Sequence, residues 1–442
     1  MSTLIDDPVA RAAEPANAQP IAAAEIARVV EEELRAIPVI DVHTHLFMPS
    51  LGKLGLWGID ELLTYHYLEA ELFRSSDLSP EDYWRLSKRE QADLIWRTLF
   101  AENTPVSEAT RGVVAVLHAF GLKTGAADLT EAREFFASRE LSRHIDHVFE
   151  LAGMSEAVMT NDPLDPDESA MWLAGAKLDS RFHAVLRLDR ILNKWAAHWR
   201  VLESQGFAVD ELVSPACASG VRRFLAEWFE RMQPVYMACS LPDTFVYPEE
   251  SLRGRLLRDA VLPACREFNI PLSLMIGVRY QVNPRIRLAG DAVGRADMSS
   301  VERLCSHFPE NRFLVSVLSR ENQHELCVYS RKFANLMPFG CWWFLNNPSI
   351  VEEITRERLE MLGTSFIPQH SDARVLEQVI YKWRNTRRML GPILTNAFSL
   401  LAQDGRAVSR FDIRRDITRL MRWNFERFSL NNAASVMARS SK

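Results

Sequence analysis

The stretch Ile37-Pro-Val-Ile-Asp41-Val-His43-Thr-His45, near the start of the chain, largely determines the predicted fold and chemistry. Its apolar first half predicts a short buried strand. Side chains two positions apart on a strand point the same way, so His43 and His45 can present their imidazoles to one metal ion. The alternative is two unrelated histidines. Their place at the end of a buried strand, with an acid just before them, favours a metal site.

Seven further apolar segments predict strands, and polar turns or helical stretches separate them. With 37–43 as the first, the predicted strands are 157–160, 182–188, 234–240, 271–278, 312–318, 337–344 and 365–370. Helical patterns lie between several of them, at 221–232, 252–268 and 300–308. Alternation of strands and helices indicates a parallel sheet. Eight such units predict an α/β fold, a (β/α)8 TIM-type barrel.

Two intervals depart from this alternation. Residues at about 60–150 follow the first strand and contain amphipathic helices, including 80–100 and 108–120, which predict a helical insertion. Residues at about 375–435 predict a helical C-terminal cap. Residues 1–20 are rich in Ala, Pro, Asp and Asn and predict a disordered tail, and a helix is predicted at 21–34. We therefore expect one barrel domain over 21–442.

The overall composition limits the class of protein. A formal net charge of −6 over 442 residues, without a basic stripe, argues against a nucleic-acid partner. No apolar run approaches the roughly 18 residues of a membrane helix, and the N-terminus lacks a signal-peptide pattern. Six scattered cysteines without a Cys-x-x-Cys pair argue against a disulfide framework or a zinc ribbon. We expect a cytoplasmic protein without a membrane partner.

Asp372 is the natural third ligand for a metal ion. In a barrel, functional side chains lie at the C-terminal ends of the strands, and the last strand lies beside the first. Two neutral imidazoles and one carboxylate leave coordination positions open for water or substrate, which is the pattern of a catalytic site. The alternative for Asp372 is a helix N-cap, since Asp is common there.

Charged residues at other strand ends are further candidates. Arg187 and Arg374 can make bidentate contacts with a carboxylate or with hydroxyl groups. A structural ion pair is the alternative, above all for Arg187, because Asp189 and Arg190 lie close by. Asp162 follows the second predicted strand.

The aromatic candidates also have two interpretations each. Trp342 and Trp343 fit either the core or the wall of a sugar pocket. Tyr65-His66-Tyr67, early in the insertion, fits either a cover over the barrel mouth or a surface helix. The predicted strands at 271–278 and 312–318 carry no histidine that could hold a second ion or orient a water molecule. The sequence therefore supports one metal ion and leaves a chemistry other than hydrolysis open.

Several short motifs, in this order, resemble those of the uronate (glucuronate) isomerases, a divergent branch of the amidohydrolase superfamily. The resemblance runs over about 35–430. The motifs are Ile40-Asp-Val-His43-Thr-His45-Leu46, His66-Tyr67, Thr160-Asn-Asp162-Pro163, Arg187-Leu-Asp189-Arg190, Gly290-Asp-Ala-Val-Gly294, Trp342-Trp-Phe344 and Ser371-Asp372-Ala-Arg374.

The resemblance implies an aldose–ketose isomerisation of a hexuronate, of the glucuronate-to-fructuronate type, through a metal-assisted cis-enediol. It implies one divalent ion, with zinc expected, on His43, His45 and Asp372. The residues that we predict to be catalytic are Asp372, Tyr67 and Arg374. Those that we predict to bind the sugar acid are Arg187, Trp342, Trp343 and Arg374. A homo-oligomer is compatible with the sequence.

The chain departs from the family pattern at Met275, where a histidine usually precedes the Ile-Gly of the fifth strand. Two other functions stay open at this point. A mononuclear-metal hydrolase or decarboxylase of the same superfamily would use the same ligands. The second is a barrel without activity, used for binding or assembly, and the intact ligand set argues against it.

Overall fold

The structure, a computed structural model, describes residues 19–430 and is an α/β protein with parallel sheets. Its strands are β1 (Val39–Thr44), β2 (Met154–Met159), β3 (Phe182–His183), β4 (Leu186–Arg187), β5 (Met237–Pro242), β6 (Leu272–Arg279), β7 (Ala292–Val293), β8 (Phe313–Val317) and β9 (Leu336–Pro338). One sheet has the order β1-β2-β3 and the other the order β4-β5-β6-β8-β9. All these neighbours are parallel, and β7 pairs antiparallel with β6.

The α-helices lie between and around these strands. They are α1 (Ile26–Ala36), α2 (Ile59–Leu63), α3 (His66–Ser75), α4 (Pro80–Tyr83), α5 (Lys88–Trp96), α6 (Glu108–Ala119), α7 (Thr130–Ala137), α8 (Leu141–Ala152), α9 (Pro166–Leu173), α10 (Asp189–Asn193), α11 (Trp195–Ser204), α12 (Pro215–Met232), α13 (Leu252–Leu256), α14 (Leu262–Glu267), α15 (Met298–His307), α16 (Gln323–Ser330), α17 (Pro348–Leu362), α18 (Gln378–Gln403) and α19 (Arg410–Thr418). Short π-helical segments continue some of them, at Arg97–Ala101, Leu257–Val261, Arg419–Trp423 and Glu426–Leu430.

The prediction of parallel strands alternating with helices is confirmed, but three predicted strands were wrong in extent. The chain passes from one sheet to the other within 182–188, which therefore splits into β3 and β4. The strand predicted at 337–344 ends at Pro338, because Gly340 turns with a φ of 66° and Trp343–Leu345 forms a 3-10 turn. The strand predicted at 365–370 contributes one bridge, between Ile367 and Phe339, since Pro368 has no N–H to continue a ladder.

Helices α2 to α8 occupy the interval between β1 and β2, where the insertion is predicted. The helix predicted at 80–100 is interrupted, because a capping box of Ser87 and Glu90 starts α5 after α4 has ended. Ser79 and Ser107 are the N-caps of α4 and α6, each accepting a backbone N–H with its side chain. Local capping thus sets where these helices begin.

The N-terminal prediction is tested only in part. Residues 1–18 of the predicted tail, and the end of the predicted cap beyond residue 430, lie outside the described residues. The predicted helix at 21–34 corresponds to a 3-10 turn at Ala23–Glu25 followed by α1. Pro20 already forms an isolated bridge with Ser409, which ties the start of the described chain to the C-terminal helices.

The two faces of the sheets contact different apolar cores. Successive side chains on a strand point to opposite faces, so neighbouring residues separate between the two cores. The smaller core contains Ile40, Val158, Ala238 and Leu314, among others. The larger core contains their neighbours Val39, Ala157, Met237 and Phe313 together with residues of the insertion helices.

All six cysteines are buried and free. Over residues 19–430, no helix combines the length and the apolar character that crossing a membrane would require.

Candidate active site

Two histidines and one aspartate meet at the C-terminal end of β1. Oδ1 of Asp372 lies 3.3 Å from Nε2 of His45 and 3.6 Å from Nε2 of His43. One ligand atom from each of the three side chains lies within 4.8 Å of the other two. The structure therefore brings together the three residues for which a shared metal ion was predicted. Since α18 has Glu377 at its N-cap, the N-cap alternative for Asp372 was wrong.

The chemical state of these side chains fits a bound divalent cation. Burial lowers the pKa of His43 to about 3 and the pKa of His45 well below its usual value, so both imidazoles are neutral. Oδ1 of Asp372 is buried and has no hydrogen-bond partner within the described part of the chain. A buried carboxylate oxygen without a partner is costly. A cation shared with the two imidazoles would remove that cost, so the site can hold one metal ion.

Tyr236 orients the ring of His43. The Tyr236 hydroxyl donates to the carbonyl oxygen of Val42 at 2.8 Å, so its oxygen is left to accept from Nδ1 of His43 at 3.2 Å. This assigns the proton of the neutral ring to Nδ1 and leaves the lone pair of Nε2 directed at the Asp372 side. Metal-binding histidines are commonly fixed in this way. The sequence analysis did not identify Tyr236, since its contact with β1 spans 193 positions.

The backbone around Asp372 is held against β1. The N–H of Asp372 donates to the carbonyl of His43 at 3.1 Å, and the N–H of His45 donates to the carbonyl of Ala373 at 2.8 Å. Asp372 has a φ of 51°, in the left-handed region that Asp adopts more readily than most residues. These bonds fix a sparsely populated backbone conformation, which places the carboxylate beside both imidazoles.

A cavity of about 210 Å³ opens beside this cluster. Seven predicted site residues line it, namely His43, His45, Arg187, Trp342, Trp343, Asp372 and Arg374. Polar residues without a predicted role also line it, including Thr160, Asp189, Cys239, Ser240, Tyr280 and Asp291. Thr160, Asp189 and Asp291 belong to the motifs that carry the family resemblance. For the other three, a position at or near a strand end was the sequence signal. Met275, the residue that departs from the family pattern, is part of the cavity wall.

The two cavity arginines differ in their partners. Nε and Nη2 of Arg187 donate to the two carboxylate oxygens of Asp189 at 2.9 and 3.1 Å, a bidentate pair. Arg187 thus fits both of its interpretations, as an ion pair and as part of the cavity wall. No ion pair of the Arg374 guanidinium occurs in the described range. Burial is the main cause of the low pKa of His45, and the positive charge of Arg374 lowers that pKa further. Arg374 is therefore the cation with free hydrogen-bonding capacity.

The two tryptophans are both core and cavity residues. Trp342 is 4% exposed and belongs to the smaller core, and it also lines the cavity. Trp343 has a buried indole N–H without a hydrogen-bond partner in the described chain. Its ring stacks on Phe344, with centroids 4.8 Å apart, and makes an edge-to-face contact with His66. An unpaired donor in a cavity wall is suited to an oxygen of a bound ligand.

Tyr67 lies next to the cavity and not in its wall. It is the second residue of α3, is partly buried, and packs against the larger core, so the surface-helix alternative was wrong. Its ring makes an edge-to-face contact with the ring of Tyr65, with centroids 5.0 Å apart. Burial raises the pKa of Tyr67 well above its usual value, and the charge of Asp372 adds to the effect. Asp162 is also outside the wall. It pairs with Arg190 at 2.9 Å.

The chain is similar to solved structures of uronate isomerases. It shares 50% sequence identity with a uronate isomerase from Bacillus halodurans, with a TM-score of 0.91, and the match covers 95% of this chain and 100% of that one. A uronate isomerase from Thermotoga maritima matches at 15% identity and a TM-score of 0.73, over 95% of this chain and 99% of that one. A glucuronate isomerase from Caulobacter crescentus matches at 14% identity and a TM-score of 0.70, over 92% and 94%.

The two more distant structures show a shared fold and nothing more. No protein-family model matches the chain, and no match was found among curated proteins. The predicted resemblance is nevertheless confirmed by the Bacillus halodurans structure, because its identity extends over nearly the whole of both chains. This protein belongs to the uronate isomerase family.

Proposed function

We propose that this protein is a uronate isomerase that interconverts the aldose and ketose forms of a hexuronate, such as glucuronate and fructuronate, through a cis-enediol. One observation carries the proposal. In a chain 50% identical to a uronate isomerase, two neutral imidazoles and the Asp372 carboxylate meet in a cavity that Arg374 also lines. Within residues 19–430, the Arg374 guanidinium has no ion pair. This cavity offers both cationic and metal-ligating groups to an anionic substrate rich in hydroxyl groups.

One divalent ion, for which zinc is the proposed identity, would be held by His43, His45 and Asp372. Nitrogen and carboxylate ligands in a set of three are typical of catalytic zinc. When bound, such an ion supplies a positive charge that stabilises negative charge developing on substrate oxygens. Because both imidazoles are neutral, the charge of the three ligands is that of the Asp372 carboxylate, and a negative charge favours a dication.

The chain's own residues supply binding and proton transfer. The Arg374 guanidinium binds substrate oxygens with two N–H donors, and Trp342 and Trp343 wall the sugar ring. Asp372 and Tyr67 carry the proton transfers between C2 and C1 and their oxygens, each typically worth about 10²–10⁴ in rate. Arg187 also lines the cavity, where its pair with Asp189 fixes its position.

The proposed scaffold is a closed (β/α)8 barrel over 21–442, with the insertion at about 60–150 in the same domain. Several contacts support closure. A parallel bridge from Asn161 to Leu186 links the two sheets, and the bridge of Phe339 with Ile367 extends the second one. The bond from the Asp372 N–H to the His43 carbonyl then reaches β1. Six free, buried cysteines are consistent with the proposed cytoplasmic location.

A product assay against a panel of hexuronates tests this function. Purified protein would be incubated with glucuronate and galacturonate, and the sugars would be followed by NMR. We expect the ketose to accumulate to equilibrium, and we expect no turnover by Asp372→Asn. Release of carbon dioxide or a hydrolysis product would indicate the rival reactions of the superfamily. A protein without bound metal and without turnover would be a barrel used only for binding.

A further inference from the structure

A buried lysine that the proposed mechanism does not use lies beside Tyr67. The side chain of Lys382, in the first turns of α18, is 5% exposed. Its ammonium nitrogen lies 5.7 Å from the ring centroid of Tyr67 and 5.5 Å from that of Tyr381. Both distances are within the range of a cation–π interaction. Lys382 thus places a positive charge against the ring of a residue that moves a proton in the proposed reaction.

This ammonium is poorly paired for a buried charge. The carboxylate that pairs with it, Oε1 of Glu108, lies 3.9 Å away, at the limit of an ion pair. No hydrogen bond from the ammonium occurs within residues 19–430. A buried charge with a weak partner destabilises a fold, and an apolar side chain of similar volume is often neutral or stabilising at such a position. Stability alone therefore does not account for a lysine here.

We propose that Lys382 is a positioning residue for the isomerisation, and that it acts through Tyr67. The inference rests on the proposed function. Its ammonium fixes the Tyr67 ring and stabilises the negative charge that develops on the phenol when its proton moves to the substrate. The phenol regains a proton from the adjacent substrate hydroxyl within the same turnover, so no net charge is left on the enzyme.

The surroundings of Tyr67 explain why a cation is useful there. The titratable groups around it are Tyr65, His66, Asp372, Tyr381 and Glu108, and Lys382 adds a permanent positive charge to them. Burial and the charge of Asp372 both oppose loss of the phenol proton. A neighbouring ammonium opposes that effect. Its charge also reaches His66, since it contributes to lowering the pKa of that imidazole.

The test separates activity from stability. Lys382→Met keeps the volume and removes the charge, and we expect kcat for hexuronate to fall by roughly tenfold to thirtyfold, the size of a desolvated cation–π contact. We expect KM to change by less than about threefold, because the charge acts on a proton transfer and not on substrate binding. The melting temperature should stay equal or rise. Lys382→Arg should recover most of kcat, since a guanidinium can also lie over a ring.

Arg384→Met is the matched control, because Arg384 is an exposed cation two positions further along the same helix. It should keep the wild-type kcat. If Lys382→Met does not fold, Lys382→Gln is the second neutral variant, with the same expected loss of kcat. In a Tyr67→Phe background, Lys382→Met should change kcat by less than about twofold, since residues that act as a unit are not additive.

Three results would overturn the inference. They are a neutral Lys382 variant with wild-type kcat, an equal loss of kcat in the presence and absence of the Tyr67 hydroxyl, and a loss of kcat that follows a lowered melting temperature. A wild-type protein that turns over hexuronate, combined with any of these, overturns the inference alone. A wild-type protein without hexuronate turnover overturns the proposed function and the inference with it.

Discussion

The indole N–H of Trp383 donates a hydrogen bond of 2.8 Å to Oδ2 of Asp41, across 342 positions of sequence. The other oxygen of this carboxylate, Oδ1, accepts the backbone N–H of Ser371 at 3.0 Å. Asp41 is fully buried, and burial raises its pKa to about 6. One carboxylate on β1 thus connects the long helix α18 to the segment that presents Asp372.

Trp383→Phe should lower the free energy of unfolding by about 1–3 kcal/mol, because it leaves a buried carboxylate oxygen without its donor while keeping an aromatic ring. Urea denaturation measures this change. Trp228→Phe is the control, since Trp228 is also buried but its indole is not bonded to a carboxylate in the described residues. An equal loss in both variants would assign the effect to lost ring volume.

Asp372→Asn should weaken binding of the divalent ion by at least roughly tenfold. Replacing a residue that only supports a metal ligand commonly costs that much already. The uncharged amide cannot offset the charge of a dication. Metal content after dialysis, measured by mass spectrometry, checks this. Asp162→Asn should retain the metal, because Asp162 pairs with Arg190 outside the cavity. Equal metal content in the two variants would contradict the assigned ligand.

Arg374→Met should cost about 2–5 kcal/mol of transition-state stabilisation, seen as a lower kcat/KM for hexuronate, because it leaves a desolvated anion unpaired. Arg374→Lys should recover only part of this, since a point charge cannot make the bidentate contact. Arg187→Met should cost less, because Asp189 already engages that guanidinium. Steady-state kinetics of the three variants check the order, and a larger loss at Arg187 would reverse the assignment.

Met275→His should preserve or raise hexuronate turnover. Met275 is 2% exposed in the cavity wall and pairs in register with Ser316 of β8. The Ser316 hydroxyl is buried without a partner in the described chain, so it is available to an imidazole at the neighbouring position. Turnover of glucuronate and galacturonate by both proteins is the measurement. A variant that folds but loses activity would show that the methionine suits this chain's own substrate.

Glu69→Gln should stabilise the protein more at pH 8 than at pH 5. Burial raises the pKa of Glu69 to about 7, and Tyr83 donates to its Oε1 at 3.1 Å. The folded state therefore holds this proton more tightly than the unfolded chain does. The stability contributed by the protonated group is present at low pH and is lost as pH rises through about 7.

The neutral amide avoids that loss and still accepts from Tyr83, so a gain of about 1–3 kcal/mol is expected above pH 7. Thermal unfolding at both pH values measures it. Glu134→Gln is the control, because it makes the same chemical change at an exposed position. A gain for Glu69→Gln that does not depend on pH would show that this carboxyl is not titrating in the range expected.

The sequence predicted the features that follow from local pattern and from the barrel topology expected of it. The apolar run before His43 predicts β1, and barrel closure predicts that Asp372 lies near it. It could not reveal Tyr236 or Trp383, because their bonds to β1 span long separations and follow from packing. Tyr236 orients a predicted ligand, His43, and Trp383 holds the carboxylate of Asp41. No spacing rule points to either residue.

The late strands show a second limit of sequence pattern. Apolar runs at 337–344 and 365–370 predict strands, but Gly340 and Pro368 break them. A Cβ at position 340 would lie 1.9 Å from Cδ2 of His370, so only glycine fits the close approach of the two segments. Hydrophobic pattern alone does not contain that information.

The 330 positions between Asp41 and Ser371 have a consequence for synthesis of the protein. A nascent chain on the ribosome can form β1, the insertion and most of the sheets before residues 371–383 have emerged. Two imidazoles would by then be in place, but neither the Asp372 carboxylate nor the Trp383 donor. Full metal affinity thus begins only after residues 371–383 have left the ribosome. C-terminal truncations that end before residue 371 should therefore be made as metal-poor chains.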